Sequence, residues 1–329
     1  MKNFFWLLTI ILALGLPLVS FASAKNNIIK TFYSLRSESV WPVKDTTSDN
    51  IISPFGVRWL GRYDWHYGLD IGADRDTEVL APQAGTVYKI WDYSESGRTI
   101  ILEHDFEDGV RFKNQDIKHY YTWYLHLNGF VSGLAEGQSI SKGEIIGYVG
   151  TSGGAGTPHL HFELRVGTPW SLEDQSYYPN SPTSTGFDPA VNPLFLFKPK
   201  KSRTALSLLS VSEAGEGNLG VLYAQSNYQT AFNKVSLIIR KKKNNKKVFS
   251  YILNLNQRTG FNANSISQLD TPDASRMYLD PSIYCLSGGL YSINIIIPQS
   301  FVSKYSSEKY QAYIVTQGLW GRTKKIKLF

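Results

Sequence analysis

The chain has 329 residues, 42% of them hydrophobic, which is room for two ordinary domains with cores of their own. Its single cysteine, Cys285, excludes an intrachain disulfide framework and a cysteine-built zinc site, so a metal centre would have to draw on His and Asp. The formal net charge of +7 is unevenly spread: residues 25 to 200 carry 16 Lys and Arg against 21 Asp and Glu, and residues 201 to 329 carry 17 against 6. An acidic first part and a basic second part predict two units with different partners.

Residues 1 to 24 begin Met1-Lys2-Asn3, run through an apolar stretch from Phe4 to Leu18 and end in Ala22-Ser23-Ala24. That order reads as a secretory signal peptide cut after Ala24, with an uncleaved anchor helix as the alternative. No later stretch is long and apolar enough to span a membrane. The mature chain is therefore expected to be exported, periplasmic or extracellular, with no transmembrane span, and nucleic acid is not expected as a partner. Residues 25 to 40 read as a mixed leader that could wrap the next domain.

From Trp41 the pattern is all-β, with short apolar runs separated by Gly, Pro, Asn and Asp and no long amphipathic helix. Strands are predicted at Ile51 to Trp59, on both sides of a turn at Pro82 to Gly85, and at Arg98 to His104, which ends in an acidic loop. Others are predicted at Tyr120 to Leu127, in pieces through Val131 to Gly150, and at His159 to Val166. Many short strands with regular turns predict a barrel or sandwich. Residues 167 to 186, rich in Pro, Ser, Thr and Tyr, read as a long loop, either one wall of a groove or a surface insertion. Phe187 to Leu196 reads as a closing segment and 198 to 201 as a linker. From 202 to 329 the β pattern returns. Val235 to Ile239 and Val248 to Leu253 flank Arg240-Lys241-Lys242-Lys243-Asn244-Asn245-Lys246-Lys247, which predicts a hairpin with lysines at its tip. Further strands are expected at Leu290 to Ile297, Tyr310 to Thr316 and Lys324 to Phe329. The expected architecture is a β-rich groove-type domain at 41 to 197 followed by a small basic β-sandwich of immunoglobulin-like kind. The lysine tip is read either as a grip on an anionic envelope polymer or as a solvated loop.

The chemistry concentrates in two places. Thr157-Pro158-His159-Leu160-His161-Phe162-Glu163-Leu164 follows the glycine-rich loop 150 to 156. On a strand, His159 and His161 share one face and Leu160 and Phe162 the other. About ninety residues earlier, His66 and Asp70 are separated by three residues, with glycines at 68 and 72 that argue against a helix. A turn leading into a strand can bring His66 and Asp70 together. With one of His159 and His161 they would make a three-ligand zinc site that leaves a position for water. His104 and His119, in or beside polar loops, are expected at the surface.

Six motifs occur in order: Ser53-Pro54-Phe55-Gly56-x-Arg58, His66-x-x-x-Asp70, Ala81-Pro82-x-Ala84-Gly85-Thr86-Val87, Tyr124-x-His126-Leu127, Lys142-Gly143-Glu144-x-Ile146-Gly147 and His159-Leu160-His161-Phe162-Glu163. Together, over about residues 41 to 197, they closely resemble the lysostaphin/LytM-type zinc metallopeptidases. The resemblance implies a β-rich groove fold and an endopeptidase that cleaves peptide bonds in peptidoglycan. It implies His66, Asp70 and His161 as ligands of one Zn2+ per chain, and His126 and His159 as catalytic histidines whose two tasks are shared. All five positions are filled. Relatives that only bind the cell wall and regulate another hydrolase have typically lost some of them, so that alternative lacks its signature. A non-haem iron oxygenase, a biotinyl- or lipoyl-carrier-like domain and a general secreted protease are the remaining alternatives. The resemblance implies nothing for residues 202 to 329.

Overall fold

The computed structural model describes residues 28–53, 55–59, 63–112, 115–167, 190–197, 207–213, 219–225, 232–254, 278–279, 285–287, 290–297, 303–305, 307–318 and 323–328. The expected signal peptide, the expected loop beyond Gly167 and the expected linker at 198 to 201 lie outside the described residues.

The chain opens with helix α1 (Ile28–Leu35). The strands that follow are β1 (Ile51–Ser53), β2 (Gly56–Trp59), β3 (Tyr63–His66), β4 (Gly68–Gly72), β5 (Glu78–Leu80), β6 (Gly85–Tyr93), β7 (Gly97–Phe112), β8 (Gln115–Leu127), β9 (Gly129–Phe130), β10 (Ser139–Ile140), β11 (Ile145–Tyr148), β12 (His159–Val166) and β13 (Ala190–Val191). Eight of them form an antiparallel sheet in the order β1-β4-β12-β8-β7-β6-β10, with β13 also paired to β12. Strands β5, β11 and β9 make a three-stranded sheet, and β2 and β3 a ribbon.

Strand β12 lies between β4 and β8 and is buried along its whole length. Its even-numbered side chains, Leu160, Phe162, Leu164 and Val166, join Leu69, Ile71, Ile100, Leu102 and Tyr124 in the main core. Phe162 meets Tyr124 at 5.4 Å and Phe197 at 5.8 Å between ring centroids. The first described residues add to this core. Phe32 of α1 packs edge-on against Phe106 and Tyr120, and Trp41 packs against Phe197. Val40 N–H donates to the Pro82 carbonyl. Burial of an aromatic side chain stabilises by about 2–3 kcal/mol, so these residues hold the sheet as well as cover it.

Two sequence expectations change. The acidic loop expected after His104 is strand: β7 continues to Phe112, with a register shift between Asp105 and Val110. Phe106 and Val110 are buried while Asp105 and Glu107 are exposed, so these two charges lie on the outside of a strand that sends Phe106 and Val110 into the core. The run from Ile51 to Trp59 divides into β1 and β2, which belong to different sheets.

Farther along lie β14 (Ser207–Glu213), β15 (Leu219–Gln225), β16 (Phe232–Lys241), β17 (Lys247–Asn254), β18 (Tyr278–Leu279), β19 (Cys285–Ser287), β20 (Leu290–Ile297), β21 (Tyr310–Gly318) and β22 (Thr323–Lys327). They form a five-stranded sheet, β14-β15-β20-β18 with β19 also on β20, and a four-stranded sheet, β17-β16-β21-β22. The lysine-tipped hairpin is β16–β17, and its tip is exposed. The chain is strand-rich throughout its described residues, and none of its described helices is long and apolar enough to cross a membrane.

Candidate metal and catalytic centre

Antiparallel register brings the two motifs together. His161 on β12 pairs with Asp70 on β4, and His66 ends β3 just before β4 begins at Gly68. His66 Nε2, Asp70 Oδ1 and His161 Nδ1 form a triangle with sides of 3.1, 2.8 and 3.0 Å. All three residues are buried.

Three electron-rich atoms at this spacing need positive charge between them. With both imidazoles neutral and their lone pairs turned inward, two nitrogens and a carboxylate oxygen repel one another unless a proton or a cation lies among them. Ligands about 2.0–2.2 Å from a tetrahedral ion are about 3.3 Å apart, close to the observed edges. Two imidazoles and one carboxylate are also donors that zinc accepts. The donor set therefore fits the expected ion.

The protonation tendencies agree with this charge balance. Burial alone would raise the Asp70 pKa, but His66 and His161 outweigh it and hold the carboxyl well below its usual range. Burial alone would lower the His161 pKa, but Asp70 and Glu163 outweigh it and raise it to about 9. A metal entering the centre must compete with protons for the same atoms.

His126 and His159 border the same centre. Their ring centroids are 5.0 Å apart, and His126 is 5.9 Å from the ring of His161. His159 Nε2 lies 3.6 Å from Asp70 Oδ1. Each ring has its Nδ1 beside a backbone carbonyl: that of Ser152 at 2.9 Å for His126, and that of Thr157 at 2.8 Å for His159. A carbonyl only accepts, so Nδ1 carries a proton, and in the neutral ring Nε2 keeps its lone pair. Burial, followed by the neighbouring His161 and His159, lowers the His126 pKa to about 4, so this ring is neutral at neutral pH.

His126 reaches the centre by a break in strand alternation. Tyr121, Trp123 and Leu125 share one face of β8 in a second, smaller apolar cluster, while Tyr120 and Tyr124 point into the main core. Simple alternation would turn His126 towards the core as well. Its φ of 64° instead places it in the left-handed region, at a shift in the β7–β8 register. For a residue with a side chain this conformation is strained and needs outside support. Support comes from the Ser96 carbonyl, which accepts from His126 N–H, and from Ser152, whose carbonyl holds the ring. Ser152 Oγ in turn accepts from Arg98 N–H and donates to the Leu127 carbonyl. The loops touch here because Gly97 has no side chain: a Cβ at Gly97 would come 2.2 Å from Ser152 Oγ.

All five site residues named from the sequence are thus brought together. The structure adds residues the sequence reading did not single out. Ser152 fixes His126, Ser53 Oγ lies 3.4 Å from His66 Nδ1, and Glu163 lies 3.0 Å from His161 Nε2. Glu163 lay in the quoted motif, and its two-residue spacing from His161 on a strand was a usable signal.

The expectation for His104 is corrected. It is only 2% exposed, stacks on Tyr120 at 4.7 Å, and lies near the Ala84 carbonyl and Thr122 Oγ1, both at 2.8 Å. A Cβ at Gly85 would lie 2.7 Å from His104 Nδ1, so the glycine of the Ala84-Gly85 turn makes room for this ring. His119 is at the surface as expected, with its side chain 42% exposed and 2.7 Å from Asp105.

With this arrangement in view, the comparisons with known proteins are direct. Residues 64–173 match the family model of Peptidase family M23. Over this segment the chain is similar to that family, in line with the resemblance of its motifs to the lysostaphin/LytM-type peptidases. An "Uncharacterized metalloprotease" of Haemophilus influenzae is 35% identical over 107 residues, covering 32% of this chain and 20% of that protein. The "DD-carboxypeptidase/endopeptidase Mpg" of Neisseria meningitidis serogroup B is 30% identical over 135 residues, covering 40% and 28%. The "L-Ala--D-Glu endopeptidase" of Bacillus subtilis is 35% identical over 161 residues, covering 46% and 42%. The chain spans less than half the length of each of these relatives.

Proposed function

We propose that the chain is a zinc metalloendopeptidase that hydrolyses peptide bonds in peptidoglycan. The observation that carries this reading is the convergence of His66, Asp70 and His161 beside His126 and His159, within the segment that matches a peptidase family. His66 Nε2, Asp70 Oδ1 and His161 Nδ1 would hold one zinc ion per chain. The chemistry supplied there is Lewis acidity towards the scissile carbonyl and towards an attacking water. The chain's own residues manage the protons. The Nε2 atom of His126 or His159 accepts a proton from the water; the Nε2–H so formed can hydrogen-bond the developing oxyanion and then passes the proton to the amine leaving group. The two rings share these tasks. Their Nδ1 hydrogen bonds to backbone carbonyls keep both Nε2 atoms available.

The proposed organisation has a signal peptide at 1–24, a leader at 25–40, a metallopeptidase domain at 41–197, a linker at 198–201 and a basic immunoglobulin-like β-sandwich at 202–329. The enzyme acts in the periplasm or outside the cell. The basic unit holds an anionic envelope polymer, a role supported by the exposed lysines of the β16–β17 hairpin.

The test is digestion of purified peptidoglycan, with released fragments read by mass spectrometry, beside a chelator-treated sample and His159→Ala. New peptide ends should come from the untreated wild type alone. Binding to peptidoglycan of several types without any new ends would sink the enzyme reading and favour a cell-wall-binding regulator of another hydrolase.

A further inference from the structure

His161 uses both of its nitrogens. Nδ1 faces Asp70 and His66, while Nε2 lies 3.0 Å from Glu163 Oε1. Glu163 is 1% exposed and stands two residues along β12, on the same face. Its other oxygen, Oε2, accepts from Arg165 Nε at 2.5 Å. Arg165, 3% exposed, occupies the next position on that face, with its guanidinium carbon 4.1 Å from the centroid of the Trp123 ring on β8. Across β4, Gly68 pairs with Glu163, and a Cβ there would lie 2.8 Å from His161 Nε2 and 3.0 Å from Glu163 Cγ. Three alternate residues of one strand thus form a line that ends under an aromatic ring, and the facing strand leaves room for it.

We infer that Glu163, locked by Arg165, is a positioning residue for the metal centre: it accepts the Nε2–H of His161 and so selects the tautomer whose Nδ1 lone pair faces Asp70 and His66. This rests on the reading of His161 as a metal ligand. Packing alone does not account for the pair. A buried carboxylate and guanidinium are costly to desolvate, and apolar residues of similar volume would fill the same space at least as well. What the pair adds is a fixed, charged acceptor behind a ligand histidine, which orients the ring and raises its basicity.

The experiment measures zinc affinity of the full chain by competition with a chromophoric chelator. It also follows the imidazole nitrogen shifts of His161 by NMR in the zinc-loaded protein. The variants are His161→Ala, Glu163→Gln and the double variant Glu163→Leu/Arg165→Met, which removes the paired carboxylate and guanidinium together. The double variant should bind zinc about 10- to 100-fold more weakly, and Glu163→Gln, which keeps a neutral acceptor, should lose less. In both, the His161 Nε2 resonance should move. Affinity within about twofold of wild type in the double variant, alongside lost binding in His161→Ala, would overturn the positioning role and leave the metal site standing. If the double variant does not fold, unchanged affinity and an unmoved Nε2 resonance in Glu163→Gln would overturn it instead. A wild type that binds zinc no better than His161→Ala would sink the metal reading and the positioning role together.

Discussion

The two faces of β12 bury equally well but by different means. Leu160, Phe162, Leu164 and Val166 face the main core, where removal of apolar surface from water contributes about 2 kcal/mol per side chain and no hydrogen-bond partner is needed. His159, His161, Glu163 and Arg165 are buried on the opposite face, and there each polar group costs free energy unless it is paired. Hence the second face is a connected line of hydrogen bonds that runs from Asp70 through His161 and Glu163 to Arg165. One face supplies stability that depends on shape, the other a site that depends on charge, and substitutions should separate them.

The largest separation is expected from Asp70→Ala. Zinc content by elemental analysis and peptidoglycan hydrolysis should both fall to background, while far-UV circular dichroism stays that of the folded chain. Full activity in that variant would remove Asp70 from the site. His126→Ala and His159→Ala, made singly, should keep their zinc and lower the turnover rate by about 10²–10⁴-fold, the usual contribution of a positioned acid or base. A wild-type rate in either would take that ring out of the reaction. Phe162→Ala tests the other face. It should cost about 3–5 kcal/mol in urea unfolding, yet the folded fraction should still take up one zinc per chain. Lost zinc at unchanged stability would mean that the faces are not separable.

The smallest effect is set by pH and lies away from the centre. Burial holds the His104 imidazole at about 4 instead of 6.5. Between those values the unfolded chain takes up a proton that the folded chain refuses, so stability falls as pH drops from 6.5 towards 4. The slope is about 1.4 kcal/mol per pH unit, or about 3 kcal/mol in all. His104→Gln should flatten the dependence of the unfolding midpoint over that window. Equal slopes in the variant and the wild type would show that His104 is not the group responsible.

The strand pattern and the split of β12 into two faces were legible from residue types and spacing, because alternation is a local property of an extended chain. His66, Asp70 and the His159/His161 pair stood out by spacing, whereas His126 and the choice of His161 as third ligand came only from the family resemblance. The acidic stretch after His104 was misread because charge suggests a loop when burial of Phe106 and Val110 cannot be seen. His104 was misplaced for the same reason: its cover comes from Gly85 and Tyr120, which are distant or ambiguous in the sequence.

The amino-acid sequence by itself determined which atoms could bind a metal or move a proton, since that follows from side-chain chemistry. Only the tertiary structure decided their direction. The β4–β12 register sets Asp70 against His161, and the left-handed backbone at His126 reverses the direction that alternation would impose. Two carbonyls hold the free nitrogens of His126 and His159 ready, and Glu163 lies behind His161. These are long-range pairings and backbone conformations, and they exist only once strands far apart in the chain have been laid side by side.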